Sequence, residues 1–280
     1  MKKKVLVTGS SGYIGSHLCK WLQVDYDVYG VDCVPNKNVD PYLTKFWDHD
    51  IRENDICEQQ FDAVIHLAAL VRVGESVQRP TDYYETNILG TINVIDTFKC
   101  DNFIFASTGA AAQPASPYAR SKLVAEDIVR EKCDNYTIFR FYNVIGAAGF
   151  PPTNPDGLFY ALIRAVETGE FGLYGGDYNT IDGTAIRDYV HVLEICEAIR
   201  LAVERPSVVK DAEVTPWVEN LGHGRGHSVL EMVNTFKAEN LVDFRVDILP
   251  KRPGDVEYSV LDDVSPYMRE MVPFNELLRM

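Results

Sequence analysis

Gly9-Ser10-Ser11-Gly12-Tyr13-Ile14-Gly15 follows the apolar run VLVTG without a break and opens an amphipathic stretch, and nothing else restricts the chain's folding choices as much. A buried strand must become a helix here within a few residues. Glycines permit the tight turn and let backbone approach a ligand closely, while N–H groups at a helix start face outward, as a pyrophosphate requires. In that setting Gly9, Gly12, Tyr13, Ile14 and Gly15 read as a dinucleotide-binding loop, the plainer alternative being a simple tight turn.

The chain continues in the same rhythm. Runs rich in Val, Ile and Phe alternate with helical patterns: strand 4–8, helix 13–23, strand 27–31, strand 62–67, helix 80–99, strand 102–107, helix 117–132 and strand 136–141. This predicts an α/β fold, a doubly wound parallel Rossmann-type sheet with right-handed crossovers and helices on both faces. At GAAGFPPTNPDG the composition turns to Pro and Gly, so a boundary is expected near residue 150. Residues 1–150 would form the dinucleotide-binding domain and 151–280 a smaller, interleaved substrate-binding lobe. A helix is expected at about 157–168, a helix near 189–204 would return to the first domain, and ligand would lie in the cleft between the two.

Composition excludes several classes. With 46% hydrophobic residues in 280, the chain can bury a substantial core. A formal charge of −14 argues against a nucleic-acid partner, which needs a dense Lys/Arg surface, but not against one small pyrophosphate. Cys19, Cys33, Cys57, Cys100, Cys133 and Cys196 show no C-x-x-C pair or metal-ligand spacing, so reduced thiols in a cytoplasmic protein are expected, with no metal. His223 and His227 form an H-x-x-x-H pair, but within a glycine-rich loop that offers no third ligand. MKKK passes straight into a strand, and no apolar run reaches membrane-spanning length, so no membrane partner is expected. Trp21, Trp47 and Trp217 read as packing residues.

Two further patterns carry chemistry. Asp32 ends the second strand, where a carboxylate can bind both adenosine-ribose hydroxyls and repel a 2′-phosphate, which favours NAD over NADP. Tyr118 and Lys122 stand four apart at a helix start and so share a face. A free tyrosine, near pKa 10, is a poor base at neutral pH. An ammonium about 4 Å away would favour the phenolate by up to ~4 kcal/mol at an effective dielectric near 20.

TGSSGYIGSH at 8–17, SPYARSK around Tyr118, DGTAIRDYVHV at 182–192 and KRPGD at 251–255 follow one another in an order that resembles the UDP-glucose (UDP-galactose) 4-epimerases of the extended short-chain dehydrogenase/reductase family. The G-x-x-G-x-x-G spacing is the one that family uses. The resemblance runs from Val5 to about Asp262 and implies reversible inversion at C4 of a UDP-hexose with tightly held NAD, in a homodimer. It makes Tyr118 the general base and Lys122 its electrostatic partner and a donor to the nicotinamide ribose. Thr108, with Ser107 if the register slips by one, becomes the hydroxyl on the reacting sugar oxygen.

By the same resemblance Asp50 and Ile51 touch adenine, Leu67, Ala68, Ala69 and Leu70 pass under the cofactor, Asn87 lies near its phosphate or ribose, and Tyr142 faces nicotinamide. Asn143 contacts the sugar diphosphate. Leu158 and Gly172-Leu173-Tyr174 surround uracil, Arg187 and Arg252 clamp the phosphates, and Asp255 takes the uridine ribose. Ser259 walls the hexose pocket, a one-residue slip placing Tyr258 there. The homodimer would pair helices 80–99 and 117–132 through Tyr84, Ile88, Thr91, Ile95, Leu123 and Ile128.

The dehydratases of the superfamily follow this Thr with an Asp-Glu pair, whereas Gly109 and Ala110 follow here. Two departures from the epimerases stand out. Only nine residues, GAAAQPASP, separate Thr108 from Tyr118, which implies a more open rim, and Val71 stands where the family places a cofactor-contacting lysine. Alternatives are another nucleotide-sugar enzyme, a decarboxylase or 4-reductase, or a non-catalytic binder of NAD or nucleotide sugar.

Overall fold

The computed structural model describes residues 2–53, 59–205, 218–252, 255–269, 272–273 and 276–279; Cys57, Trp217, Pro253 and Gly254 lie outside them. The chain divides into two compact units, one of residues 1–141 and 196–219, the other of residues 142–195 and 220–280. This boundary precedes the expected one near 150. The physical reason is β7 (Asn143–Ile145), which leaves the first sheet to pair in parallel with β9 (Ile186–His191).

The first unit is built on β1 (Lys4–Thr8), β2 (Asp27–Asp32), β3 (Lys45–Asp48), β4 (Gln59–His66), β5 (Phe98–Thr108) and β6 (Tyr136–Phe141). With β10 (Val218–Leu221) they form a seven-stranded sheet in the order β10-β6-β5-β4-β1-β2-β3. The pairs β1–β2, β1–β4, β2–β3, β4–β5 and β5–β6 are all parallel. Strand order reverses on either side of β1, as in a doubly wound fold. Leu6, Val31, Val64, Phe103, Phe105 and Ile138 point into one buried cluster, whose partly buried rim includes Trp47.

Helix α1 (Tyr13–Leu22) follows β1 directly. Between β4 and β5 the chain forms α2 (Val73–Gln78), α3 (Pro80–Tyr84), a single π turn at Glu85–Leu89 and α4 (Gly90–Thr97). The expected helix 80–99 is therefore interrupted by the π turn, and it ends at Thr97 because Phe98 already starts β5. Its expected dimer face is also revised. Thr91 is fully buried and bonded to His66, and Ile95 lies in the core, so neither side chain is available to a partner.

Helix α5 (Pro117–Lys132) starts where the Ser116 hydroxyl accepts the Ala119 N–H at 3.1 Å and Pro117 occupies the first turn. Arg130 and Lys132 complete its last turn, where cations oppose the helix dipole.

In the second unit β9 pairs with β11 (Gly226–Ser228), β13 (Tyr258–Ser259) and β7, while β8 (Glu170–Tyr174) pairs in parallel with β12 (Arg245–Leu249). Helix α6 (Leu158–Thr168) ends on left-handed Gly169, and α8 (Val229–Asn240) begins with a capping box between Ser228 and Glu231. Phe159, Leu162, Phe171, Leu173, Tyr189 and Phe236 share the core of this unit. The expected helix 189–204 starts three residues late, as α7 (Val192–Glu204), because Tyr189–His191 complete β9. From Cys196 onward α7 is counted with the first unit.

Candidate functional site

The glycine loop is sterically determined. Gly9 has φ +72°, and a Cβ there would stand 2.7 Å from the Ala68 nitrogen; one on Gly15 would run into the Gly9 carbonyl. Gly12 precedes α1 with no side chain capping it, and a helix start of this kind favours an anion. Asp32 ends β2 half-buried, its oxygens accepting the N–H groups of Ser11 and Val34 at 3.0 Å. Burial raises its carboxyl above the usual value, and these N–H groups pull it back. A crowded turn, an uncapped helix start and a carboxylate at the next strand end are what a dinucleotide needs, so the residues present fit NAD.

Leu67 to Ala69 continue β4 beneath this loop, the Leu67 N–H reaching the Thr8 carbonyl at 3.1 Å and the Ala68 N–H the Thr8 hydroxyl at 3.3 Å. Asn87, expected near the cofactor, also holds the backbone of the turn that would carry it. Its buried amide grips both backbone groups of Leu70, at 2.9 and 3.0 Å, and donates to Ser121 at 2.9 Å, so it shapes the LAAL turn from below. Asp50 pairs with Arg52, whose hydrogen bonds hold its carboxyl below the usual range, and Ile51 is packed against Gly90. After Val71, which is exposed, the Arg72 side chain lies 3.9 Å from Glu75.

Thr108 ends β5 and Tyr118 opens α5, and the Thr108 side chain lies near enough to the Tyr118 hydroxyl to favour its ionised form. Thr108 also caps the single turn at Gly109–Ala112 through the Ala110 N–H at 3.3 Å. Ser107, the alternative in case of a register slip, faces the interior and donates to Glu126 at 2.6 Å. The Tyr118 ring meets the edge of Tyr83, centroids 6.3 Å apart, and Tyr83 is itself fixed by Glu75 and the Arg72 N–H.

The electrostatics differ from the sequence expectation. Burial raises the Tyr118 hydroxyl above its ordinary value, and the neighbouring Thr108 side chain offsets part of that. Lys122, one turn further along α5, is itself shifted. Its ammonium sits 4.1 Å above the Phe105 ring, where burial pushes it down to about 7, opposed by Glu126.

In the second unit Arg187 leaves β9 and binds Asp255 at 2.5 Å and the carbonyls of Ile186 and Val256 at 2.8 and 2.7 Å. Arg252 lies with its guanidinium 4.0 Å from the centroid of the Tyr174 ring, covering one face. β8 alternates, so Gly172 and Tyr174 are exposed while Leu173, 2% exposed, points into the core. Leu173 can therefore offer a ligand only its backbone. Leu158, at the start of α6, packs partly on the same core. The amide of Asn143 donates to the Asp188 carbonyl at 2.9 Å, and the N–H of the neighbouring Tyr142 reaches the Leu221 carbonyl. Ser259 pairs with Arg187 in the β13–β9 register, with Tyr258 on the opposite face of the strand.

A family model described as the NAD dependent epimerase/dehydratase family matches residues 5–215. The chain belongs to the NAD dependent epimerase/dehydratase family. It is 31% identical over 298 residues to a UDP-glucose 4-epimerase of Haemophilus influenzae, covering 90% of this chain and 87% of that protein. Among solved structures it is similar to a UDP-glucose-4-epimerase of Stenotrophomonas maltophila with bound NAD and formylated UDP-arabinopyranose, at TM-score 0.84, 29% identity, and 99% and 96% coverage of the two chains. It is similar also to a UDP-N-acetylglucosamine 4-epimerase of Methanobrevibacter ruminantium M1 in complex with UDP-N-acetylmuramic acid, at TM-score 0.80, 26% identity, and 100% and 97% coverage.

Within this family member, three buried carboxylates went unnoticed in the sequence. Glu126 ties α5 to Ser107 of β5 and Arg140 of β6. Asp188, one residue past Arg187, accepts the N–H groups of His223 and Gly224 at 2.8 Å and of Leu261 at 3.3 Å. Glu194 accepts the His191 and Val272 N–H groups and bonds the His223 ring at 2.9 Å. His227 pairs with another carboxylate, Glu231, so the two histidines of HGRGH serve separate contacts. Among the described residues no helix is long and apolar enough to cross a membrane.

His66 yields a prediction. Its ring is buried between the hydroxyls of Thr8 at 2.7 Å and Thr91 at 3.0 Å, and burial, with the Lys122 charge, pushes it down to about 3. An unfolded histidine titrates near 6.5, so between about 6.5 and 3 the unfolded state binds the extra proton. Stability should therefore fall as the pH drops through that window, by up to ~1.4 kcal/mol per unit. Urea unfolding from about pH 7 to about pH 4.5 should be less pH-sensitive in His66→Gln than in the parent. Identical slopes would remove His66 from that role.

Proposed function

We propose that this chain is an NAD-dependent isomerase that interconverts UDP-glucose and UDP-galactose by inversion at C4. The observation that carries the reading is the placement of Thr108, at the end of β5, beside Tyr118, at the start of α5, with Lys122 one turn further on and no acid–base carboxylate pair after Thr108. A tyrosine and a threonine can hold one sugar hydroxyl and move its proton, whereas dehydration would need a further acid and base that Gly109 and Ala110 do not supply.

When bound, NAD supplies the hydride acceptor and donor for a transient oxidation at C4. The chain's residues do the rest. Gly9 to Gly15 and Asp32 bind and orient the dinucleotide, with Tyr13, Ile14, Asp50, Ile51, the turn Leu67 to Leu70 and Tyr142 around it. Thr108 hydrogen-bonds the 4-hydroxyl and Tyr118 takes its proton, returning it after inversion. Lys122 keeps a positive charge beside the tyrosine. Arg187 and Arg252 hold the diphosphate, Asn143 the sugar side of it, Asp255 the ribose, and Leu158, Gly172, the Leu173 backbone and Tyr174 the base.

Purified protein should convert UDP-galactose in a coupled assay without added cofactor, and absence of conversion on adding NAD would overturn the reading. Tyr118→Phe should abolish turnover while leaving UDP and NAD binding nearly intact. A loss below about tenfold would remove Tyr118 as base, and Thr108→Ala should cost only about 1–3 kcal/mol of transition-state stabilisation.

The cytoplasm is the compartment that suits its free cysteines, and a homodimer the assembly that suits its helices. Tyr84, Leu89 and Val124 are large apolar residues left exposed on α3, the π turn and α5. Together with Ile88, Leu123 and Ile128 they could pair across a two-fold. Light scattering at micromolar concentration should give twice the chain mass, and a monomer there would refute the pairing.

At the hexose wall we read Ser259, which removes an aromatic ring and leaves space for an acetamido group at C2. UDP-N-acetylglucosamine should then be epimerised within about tenfold of UDP-glucose efficiency, since one steric clash is worth only ~1–3 kcal/mol. Ser259→Tyr should suppress the acetamido substrate selectively. Equal effects on both sugars, or no turnover of the acetamido sugar by the parent, would point to Tyr258 instead.

A further inference from the structure

Glu126 touches neither of the proposed ligands, yet its side chain is fully buried and both of its oxygens are doubly hydrogen-bonded. Ser107 Oγ and Arg140 Nε donate to Oε1 at 2.6 and 2.8 Å; Arg140 Nη2 and Arg130 Nη2 donate to Oε2 at 2.7 and 3.0 Å. Burial raises this carboxyl, but the hydrogen bonds and the two arginine charges outweigh it and leave it below the usual carboxylate range. Glu126 is ionised wherever the protein is folded at ordinary pH.

A tie between α5 and β6 would account for Arg140, but the position on α5 accounts for more. Tyr118, Lys122 and Glu126 recur at four-residue spacing, so they share one helix face, Lys122 one turn from each of the others. The other groups that surround Lys122 give no negative charge. From β5 comes the Phe105 ring, 4.1 Å from Nζ, and from β4 comes His66, kept neutral by burial. Arg140 from β6 and Arg130 from α5 stand behind Glu126 and are positive. Among the described residues, Glu126 is the carboxylate whose charge reaches Lys122.

We propose that Glu126 is a positioning residue for the reaction: its carboxylate, clamped by Ser107, Arg140 and Arg130, keeps Lys122 protonated in an interior that would strip its proton, and so sets the alkaline limit of turnover. This rests on the reading of Lys122 as the electrostatic partner of Tyr118. Burial alone favours the neutral amine, and the carboxylate one turn away opposes it. A charge at the ~6 Å spacing of helix neighbours four apart, at an effective dielectric near 20, moves an ionisation by up to about two units, and the arginines add separate contributions of the opposite sign.

Opposite signs separate this role from a structural one. Glu126→Gln removes the negative charge, so the alkaline limb of kcat should move down by up to about two pH units; Arg140→Gln removes a positive charge behind it, so the limb should move up. Glu126→Asp should restore most of the parent profile. The same displacements should appear without substrate in the pH titration of the Lys122 Nζ nitrogen by NMR, its signal identified by loss in Lys122→Met. A tie that only joins α5 to β6 would lower the thermal midpoint in both variants and leave the lysine titration unmoved.

Unmoved titrations, or shifts of the same sign in both variants, overturn the proposal. Should Glu126→Gln fail to fold, Arg140→Gln decides: an upward shift supports the proposal and any other result overturns it. The NMR titration needs no turnover, so its outcome is distinct from a failure of the epimerase reading.

Discussion

The absence of room for a side chain at Gly9 and Gly15 underlies the whole first unit. Gly9 sits in the left-handed region with the Ala68 nitrogen against it, and Gly15 lies on the Gly9 carbonyl, so β1, α1 and the end of β4 close on one another. Contact this tight aligns the Gly9 N–H with the Val31 carbonyl at 2.8 Å and leaves Asp32 level with the loop. It also brings Thr8 onto His66 at 2.7 Å, and His66 onto Thr91 of α4. A single steric condition thus links the cofactor loop to the strand ends and to the helices that flank α5. Any side chain at those glycines would have to displace backbone, which interiors packed at crystal density resist.

Charge burial does in both units what apolar packing cannot. Loops crossing a strand end carry N–H groups that need partners, and a carboxylate can accept several at once. Asp188 collects three from His223, Gly224 and Leu261, and Glu194 ties His191 and Val272 to the His223 ring. The 223–224 turn and the segment at Leu261 are therefore held by one oxygen pair. Gly222 completes the fit, since a Cβ there would stand 2.8 Å from an Asp188 oxygen. Removing either carboxylate would leave buried donors unsatisfied, so these residues position Arg187 indirectly.

Strands and helices with one clear period were legible, and β1, α5 and β6 fall where alternation put them. The failures have a common physical source. Tyr189, Val190 and His191 are buried on both faces of β9, so their run lacks the alternation that separates a strand from the following helix. Leu173 was grouped with its neighbours although period two sends it the other way. Asn87 was expected near the cofactor by resemblance alone, and no sequence mark shows that its amide also holds Leu70. Glu126 resembled a solvated charge among ARSKLVAEDIVREK, and only its spacing from Tyr118 and Lys122 could have set it apart. The pairing of Tyr118 and Lys122 was visible, but its electrostatics depended on Phe105 and on burial, which no local pattern encodes.

The residues of the second unit proposed to bind the nucleotide sugar are held by one another. Asp255 neutralises Arg187, whose guanidinium is also oriented by the Ile186 and Val256 carbonyls, and Arg252 stacks on Tyr174. On the proposed function, a diphosphate at Arg187 competes with a carboxylate already in place, so part of its electrostatic gain offsets the loss of that ion pair. Asp255 need not become an orphan, because ribose hydroxyls can donate to the oxygen that Arg187 releases. The carbonyls of Ile186 and Val256 keep the guanidinium aimed throughout. Such an exchange of partners spares the unliganded protein an uncompensated cation while limiting the reorientation that binding requires, and it makes affinity depend on the whole nucleotide diphosphate rather than on any isolated anion.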